Sequence, residues 1–223
     1  MVSCSFRLRY SNSFCIVLTN RSVIEKVIEI GLIEIVFLYL EHEDIDLQLE
    51  SGWILSNVAA GSSIYVNYLI KHGVIDKLMP LLYSSHDKVW AHAVSGYGNL
   101  AAESIHVRNM VNKEEIIRRI VAITIEQTQI LRDSSVKSTA SLGHVRNLAW
   151  AISNCCCGKP NSDFAKVKLF LPGLAAILES TDDEETLSSA CWALSFLSDG
   201  REQQIQEVLN SGFFPSMTYF RVS

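Results

Sequence analysis

The chain has 223 residues, of which 48% are apolar and 19% charged, and its formal net charge is −5. That is long enough for one sizeable core and too apolar for a disordered chain. The acidic balance argues against a nucleic-acid partner, and no apolar run reaches membrane-spanning length.

Residues 1–20 read as an irregular leader or the remnant of an incomplete unit, because FCIVL after Arg7 and Arg9 is too short for a signal peptide. From residue 21 each unit reads as a helix, a Gly turn, an apolar helix, a polar turn and a last helix. The first unit, about 21–61, has its stop at Gly31, the apolar LIEIVFLYL, the turn EHEDID and the final helix GWILSN. The second, 62–103, stops at Gly73 and runs through VIDKLMPLLY, where Pro80 should kink or restart the helix, to VSGYGN. The third, 104–158, contains EIIRRIVAIT and AWAISN; its extra residues, EQTQILRDSSVKSTASLGH, are expected to loop out between helices. The fourth, 159–200, holds LPGLAAIL, with Pro172 suited to a first turn, then ESTDDEE and CWALSF. A partial fifth at 201–215 includes Gly212 and should lack its last helix, and 216–223 carries no repeat pattern. Asp and Ser in the polar turns offer helix N-caps.

One position keeps this register. Trp53, Ser95, Trp150 and Trp192 follow one another at intervals of 42, 55 and 42 residues. A period of this length predicts an all-α solenoid of about four units, each burying its apolar face against its neighbours. At 100° per residue, the position four after the Trp lies about 40° away, on the same face. It is occupied by Asn57, Asn99, Asn154 and Phe196. The positions one before, two after and five after hold Gly52, Leu55 and Val58, then Val94, Tyr97 and Leu100, then Ala149, Ile152 and Cys155, then Cys191, Leu194 and Leu197. That second stripe is opposed to the Trp/Asn pair across the helix. It already supplies a core face, and a buried unpaired Asn costs about 1–3 kcal/mol. The Trp/Asn stripe is therefore expected to face solvent.

Catalytic and metal chemistry find no pattern. His42, His72, His86, His92, His106 and His144 are scattered, with no HExxH and no phosphate-binding Gly loop. Cys155, Cys156 and Cys157 are consecutive and point in different directions from one helix, so they cannot share a tetrahedral ion. No metal or cofactor is expected, and reduced thiols fit a reducing compartment.

The segments VRNLAWAISNCCCGKP and DFAKVKLFLPGLAAILESTDDEETLSSACWALSFLSDG resemble the armadillo repeats of the importin-α family, as do QLESGWILSNVAAG and HGVIDKLMPLL. The resemblance covers about residues 21–215 and implies an armadillo-repeat α-solenoid wound as a right-handed superhelix, matching the N-terminal part of that family's solenoid. It implies an adaptor of cytoplasm and nucleus that holds basic nuclear localisation signal peptides extended along a Trp/Asn-lined concave groove. By the same resemblance Trp53, Asn57, Gly61, Asn99, Glu103, Trp150, Asn154 and Trp192 are its peptide-binding residues. Ser95 departs from the family's Trp, and Phe196 stands where the family often has Tyr. Val66 takes the place of a helping Thr, and Glu103 that of an Asp pairing with the key lysine. Cys157 and Ser189 replace an Arg and its acidic partner together. No Lys/Arg-rich N-terminal segment of the kind used to bind importin-β is seen, so that contact is not expected. The alternative expectation is a divergent or truncated scaffold with weakened transport function.

Overall fold

The computed structural model describes residues 21–133 and 139–211. The leader at 1–20, the stretch 134–138, the Gly212 stop and the tail at 216–223 lie outside the described residues. Every regular element among the described residues is helical. The chain divides into two compact units, one up to Gly96 and one from Tyr97.

The first unit contains α1 (Arg21–Glu29), α2 (Leu32–Tyr39), α3 (Ile45–Ala59), α4 (Ser63–Lys71) and α5 (Val74–Leu78). A 3-10 turn at Pro80–Tyr83 and the start of α6 (Asp87–Glu103) complete it. Gly31 and Gly73 adopt φ of 71° and 79°, a left-handed conformation that costs a residue with a Cβ about 1–2 kcal/mol. Each breaks the chain between two helices and turns it back. Pro80 cannot donate a backbone hydrogen bond, and α5 ends just before it. Asp44 caps α3 by accepting from the Asp46 amide at 3.0 Å. Ile33, Leu55, Leu69, Leu78 and Leu82 form the centre of this unit's core. Trp90, which lies outside the ladder register, is 4% exposed and belongs to that core.

The second unit holds the rest of α6, then α7 (Ile105–Val111), α8 (Glu114–Arg132), α9 (Thr139–Cys156) and α10 (Phe164–Val167). A 3-10 turn at Lys168–Phe170 leads into α11 (Leu171–Ser180), α12 (Glu184–Leu197) and α13 (Glu202–Asn210). Helix α9 packs along α12 and α8, and α11 lies against α8. Pro172 sits in the first turn of α11, where its missing N–H costs nothing. Asp183 caps α12 by accepting from the Thr186 amide at 3.0 Å, and it also receives the Nε of Arg146 on α9 at 2.9 Å. One carboxylate thus closes the start of α12 and ties it to α9.

Two expectations are overturned. Of the extra residues of the third unit, those at 126–132 and 139–144 are helical rather than looped out, and 134–138 lie outside the described residues. EQTQILR continues α8 to Arg132, and α9 already begins at Thr139. The reason is a buried face that runs on past EIIRRIVAIT, through Ile123, Thr124, Gln127, Thr128 and Leu131. Its hydroxyls are satisfied by their own helix, Thr124 donating to Ile120 and Thr128 to Ile125, each at 2.8 Å. Polar composition therefore did not mean a loop. The second correction concerns the apolar stripe of α12. Leu197 is buried, but Cys191 is exposed, because among the described residues no element beyond α13 covers that side.

Candidate functional site

In the first unit, Trp53 and Asn57 stand on α3, both half-buried, while Gly52, Leu55 and Val58 across the helix are buried. The ring of His92, on α6, lies nearly parallel to the Trp53 indole, with centroids 5.8 Å apart and planes 14° from parallel. Gly52 admits this approach, since a Cβ there would meet the His92 Cβ at 3.3 Å. Burial and the nearby Lys88 lower the His92 pKa. Gly61 follows α3, and a Cβ at this position would come within 2.6 Å of the Tyr65 ring. Val66 is fully buried, so its methyl groups serve the core and present nothing to a ligand. Ser95 donates its hydroxyl to the Ala91 carbonyl at 3.0 Å, turning back onto its own helix.

In the second unit, Asn99 and Glu103 occupy the last turns of α6 and are half-buried. Trp150 and Asn154 project from α9. The indole rests on the bare backbone of Gly98, where a Cβ would lie 2.5 Å from Trp150 Cζ3. The Asn154 Nδ2 donates to the Gly98 carbonyl at 3.1 Å. The same glycine thus seats the indole and accepts the carboxamide of one turn of the ladder. Trp150 remains 36% exposed. Trp192, on α12, is 61% exposed and stacks on Phe196 with centroids 6.2 Å apart. Behind this face Ala149, Ile152 and Cys155 are fully buried. Burial pushes the Cys155 thiol up to about 12, with the neighbouring Cys157 adding to the shift, and Cys156 is raised well above its ordinary value by the same cause. These thiols stay protonated and act as apolar core groups.

Trp150 and Asn154 are thus brought together over Gly98, and Trp192 is paired with Phe196. Two residues of this face are not among the site candidates of the sequence, His92 and Gly98. They stand three residues before and three after Ser95, where helical spacing puts them beside the ladder position. That spacing is the signal that could have found them.

No family model matches the chain. Among curated proteins it is 36% identical over 195 residues to importin subunit alpha-2 of Arabidopsis thaliana, a match covering 87% of this chain and 34% of that protein. It is 37% identical to importin subunit alpha-1a of Oryza sativa subsp. japonica, over 87% of this chain and 35% of the relative. Importin subunit alpha-5 of Arabidopsis thaliana matches at 35% over 96% of this chain and 39% of its own length. The chain is an importin-α homologue. It spans about a third of the length of the curated relatives it matches. Among solved structures, this importin-α homologue is similar to a designed armadillo-repeat protein with a TM-score of 0.73, at 20% identity, over 96% of this chain and 84% of that one. A designed armadillo-repeat protein in complex with a (KR)4 peptide gives a TM-score of 0.69 at 19% identity, over 94% and 82% of the two chains. The fold is the armadillo-repeat solenoid.

Proposed function

We propose that this importin-α homologue is an adaptor-like module that binds Lys/Arg-rich nuclear localisation signal peptides in extended conformation, and that it works in cytoplasm and nucleus. The observation that carries this reading is the orientation of the ladder. Trp150 and Trp192 are 36% and 61% exposed on the helix face opposite the core stripe, and Asn154 shares that face. A carboxamide can donate to a peptide carbonyl and accept from a peptide N–H, which holds a backbone extended. Alternate side chains of an extended peptide then point the same way. A Lys or Arg stem laid on an indole gains apolar contact and a cation–π attraction of about 0.5–2 kcal/mol. Trp53, Asn57, Asn99, Trp150, Asn154 and Trp192 take these roles in the proposal. Glu103, a half-buried carboxylate in the last turn of α6, takes a lysine ammonium group in the proposal, and Gly61 is assigned to peptide binding with it only by the resemblance.

Ser95 and Val66 favour a weakened version of this binding. Ser95 offers no ring and is bonded to its own helix, and Val66 is buried. Anisotropy titration of a labelled (KR)4 peptide tests the reading. Saturable binding is expected, and Trp150→Ala should weaken it about tenfold, the loss of one good cation–π slot and its apolar contact. Absence of saturable binding, or binding indifferent to Trp150→Ala, would refute it.

A further inference from the structure

The ladder's first indole is already occupied from within. The His92 ring faces the Trp53 indole with centroids 5.8 Å apart and planes 14° from parallel. The gap between the two planes cannot exceed the centroid distance. Carbon atoms in contact lie about 3.5–4.0 Å apart, so two faces that sandwich an aliphatic stem need roughly 7–8 Å. A lysine or arginine stem does not fit between these rings.

We propose that His92 is the specificity-determining residue of the Trp53 slot, a built-in occupant that a cationic side chain must displace before it can use that indole face. The proposal rests on the peptide-binding reading above and goes further by saying which slot is closed and what closes it. Three features of the first unit hold the ring in place. Gly52 lets α6 approach α3 closely enough for the imidazole to reach the indole, the His92 Cβ being 3.3 Å from where a Gly52 Cβ would stand. Ser95, at the ladder position one turn along α6, is too small to compete for the space and folds back onto Ala91. Burial and Lys88 favour the uncharged imidazole, a flat ring that stacks without needing a counter-ion.

The other ladder positions lack this arrangement. The position equivalent to His92 is Asn147 on α9 and Ser189 on α12, neither of which carries a ring. In the second unit Trp150 is 36% exposed, and Trp192 remains 61% exposed although the Phe196 ring of its own helix stacks on one of its faces. The chain is therefore expected to read a basic peptide through its later positions, with its earliest indole held in reserve.

The test is a double-mutant cycle on the full chain with a labelled (KR)4 peptide. His92→Ala should tighten binding about three- to tenfold, the worth of one released aromatic stack. His92→Asn, which keeps polarity and removes the ring, should do the same and guards against a folding defect in the alanine variant. Trp53→Ala should weaken binding more in the His92→Ala background than in the wild type, and His92→Ala should bring no gain once Trp53 is gone. Independently of affinity, the His92 ring protons should resonate upfield in the free protein and move towards ordinary imidazole positions at saturating peptide. The proposal is overturned if wild-type binding is weakened by Trp150→Ala while neither His92 variant binds more tightly, or if the imidazole signals stay in place at saturation. If neither the wild type nor either His92 variant binds the peptide, the peptide-binding reading itself falls and takes this proposal with it.

Discussion

Replacing Gly98 with Ala sets two effects of similar size against each other. Gly in a helix interior is unfavourable by about 0.5–1 kcal/mol relative to Ala, so propensity alone predicts a more stable protein. The new methyl would, however, lie 2.5 Å from Trp150 Cζ3, 3.0 Å from Cη2 and 3.1 Å from the Ala151 Cβ. Overpacking of this kind costs typically about 1–3 kcal/mol. Trp150 is 36% exposed, so the indole can swing outward and relieve part of the strain. The net expectation is a loss of roughly 0–2 kcal/mol, the difference of these two terms. The indole should then be more accessible, and the Asn154 bond to the Gly98 carbonyl disturbed. Urea melts followed by circular dichroism measure the first effect. Acrylamide quenching in a Trp192→Phe background, which removes the most exposed ladder indole, measures the second. A Gly98→Ala protein about 1 kcal/mol more stable than wild type, with unchanged quenching, would show that the indole does not rest on this backbone.

Asp183→Asn should cost about 1 kcal/mol at neutral pH, from a weakened cap and a lost, partly exposed ion pair. Bonds from Arg146 and Thr186 hold the Asp183 carboxyl well below the usual carboxylate range. Its contribution is thus fully present above the usual carboxylate range and is lost progressively as pH falls from that range to the lowered folded-state value. Urea midpoints of wild type and Asp183→Asn should differ at pH 7 and converge in strong acid; a constant difference across that window would contradict the linkage. Leu131→Ala should cost about 2–4 kcal/mol, because Leu131 is 6% exposed on the continued face of α8. A cost near zero in the same melts would restore the looped-out reading of that segment.

The regular features of this chain are local, and its sequence determined them. Gly31 and Gly73 stop helices wherever a left-handed residue is needed, and Pro80 and Pro172 mark starts through a missing N–H. The opposition of the Trp/Asn and apolar stripes follows from 100° per residue, and burial of Leu55, Val58, Ala149 and Ile152 agrees with it. The continuation of α8 was illegible for a physical reason. Gln127 and Thr128 look like loop residues until a partner helix buries them and the helix itself satisfies the Thr128 hydroxyl. Periodicity says which way Trp53 and Trp150 face, but it cannot say what lies against them. Only the packing of α6 on α3 puts His92 over one indole, and only the packing of α9 on α6 sets the other on the bare Gly98 backbone. Those neighbours come from helices 39 and 52 residues away along the chain. A helix encodes the direction of each side chain in its own short-range geometry, whereas the occupant of the space beyond is fixed by how closely two backbones can approach.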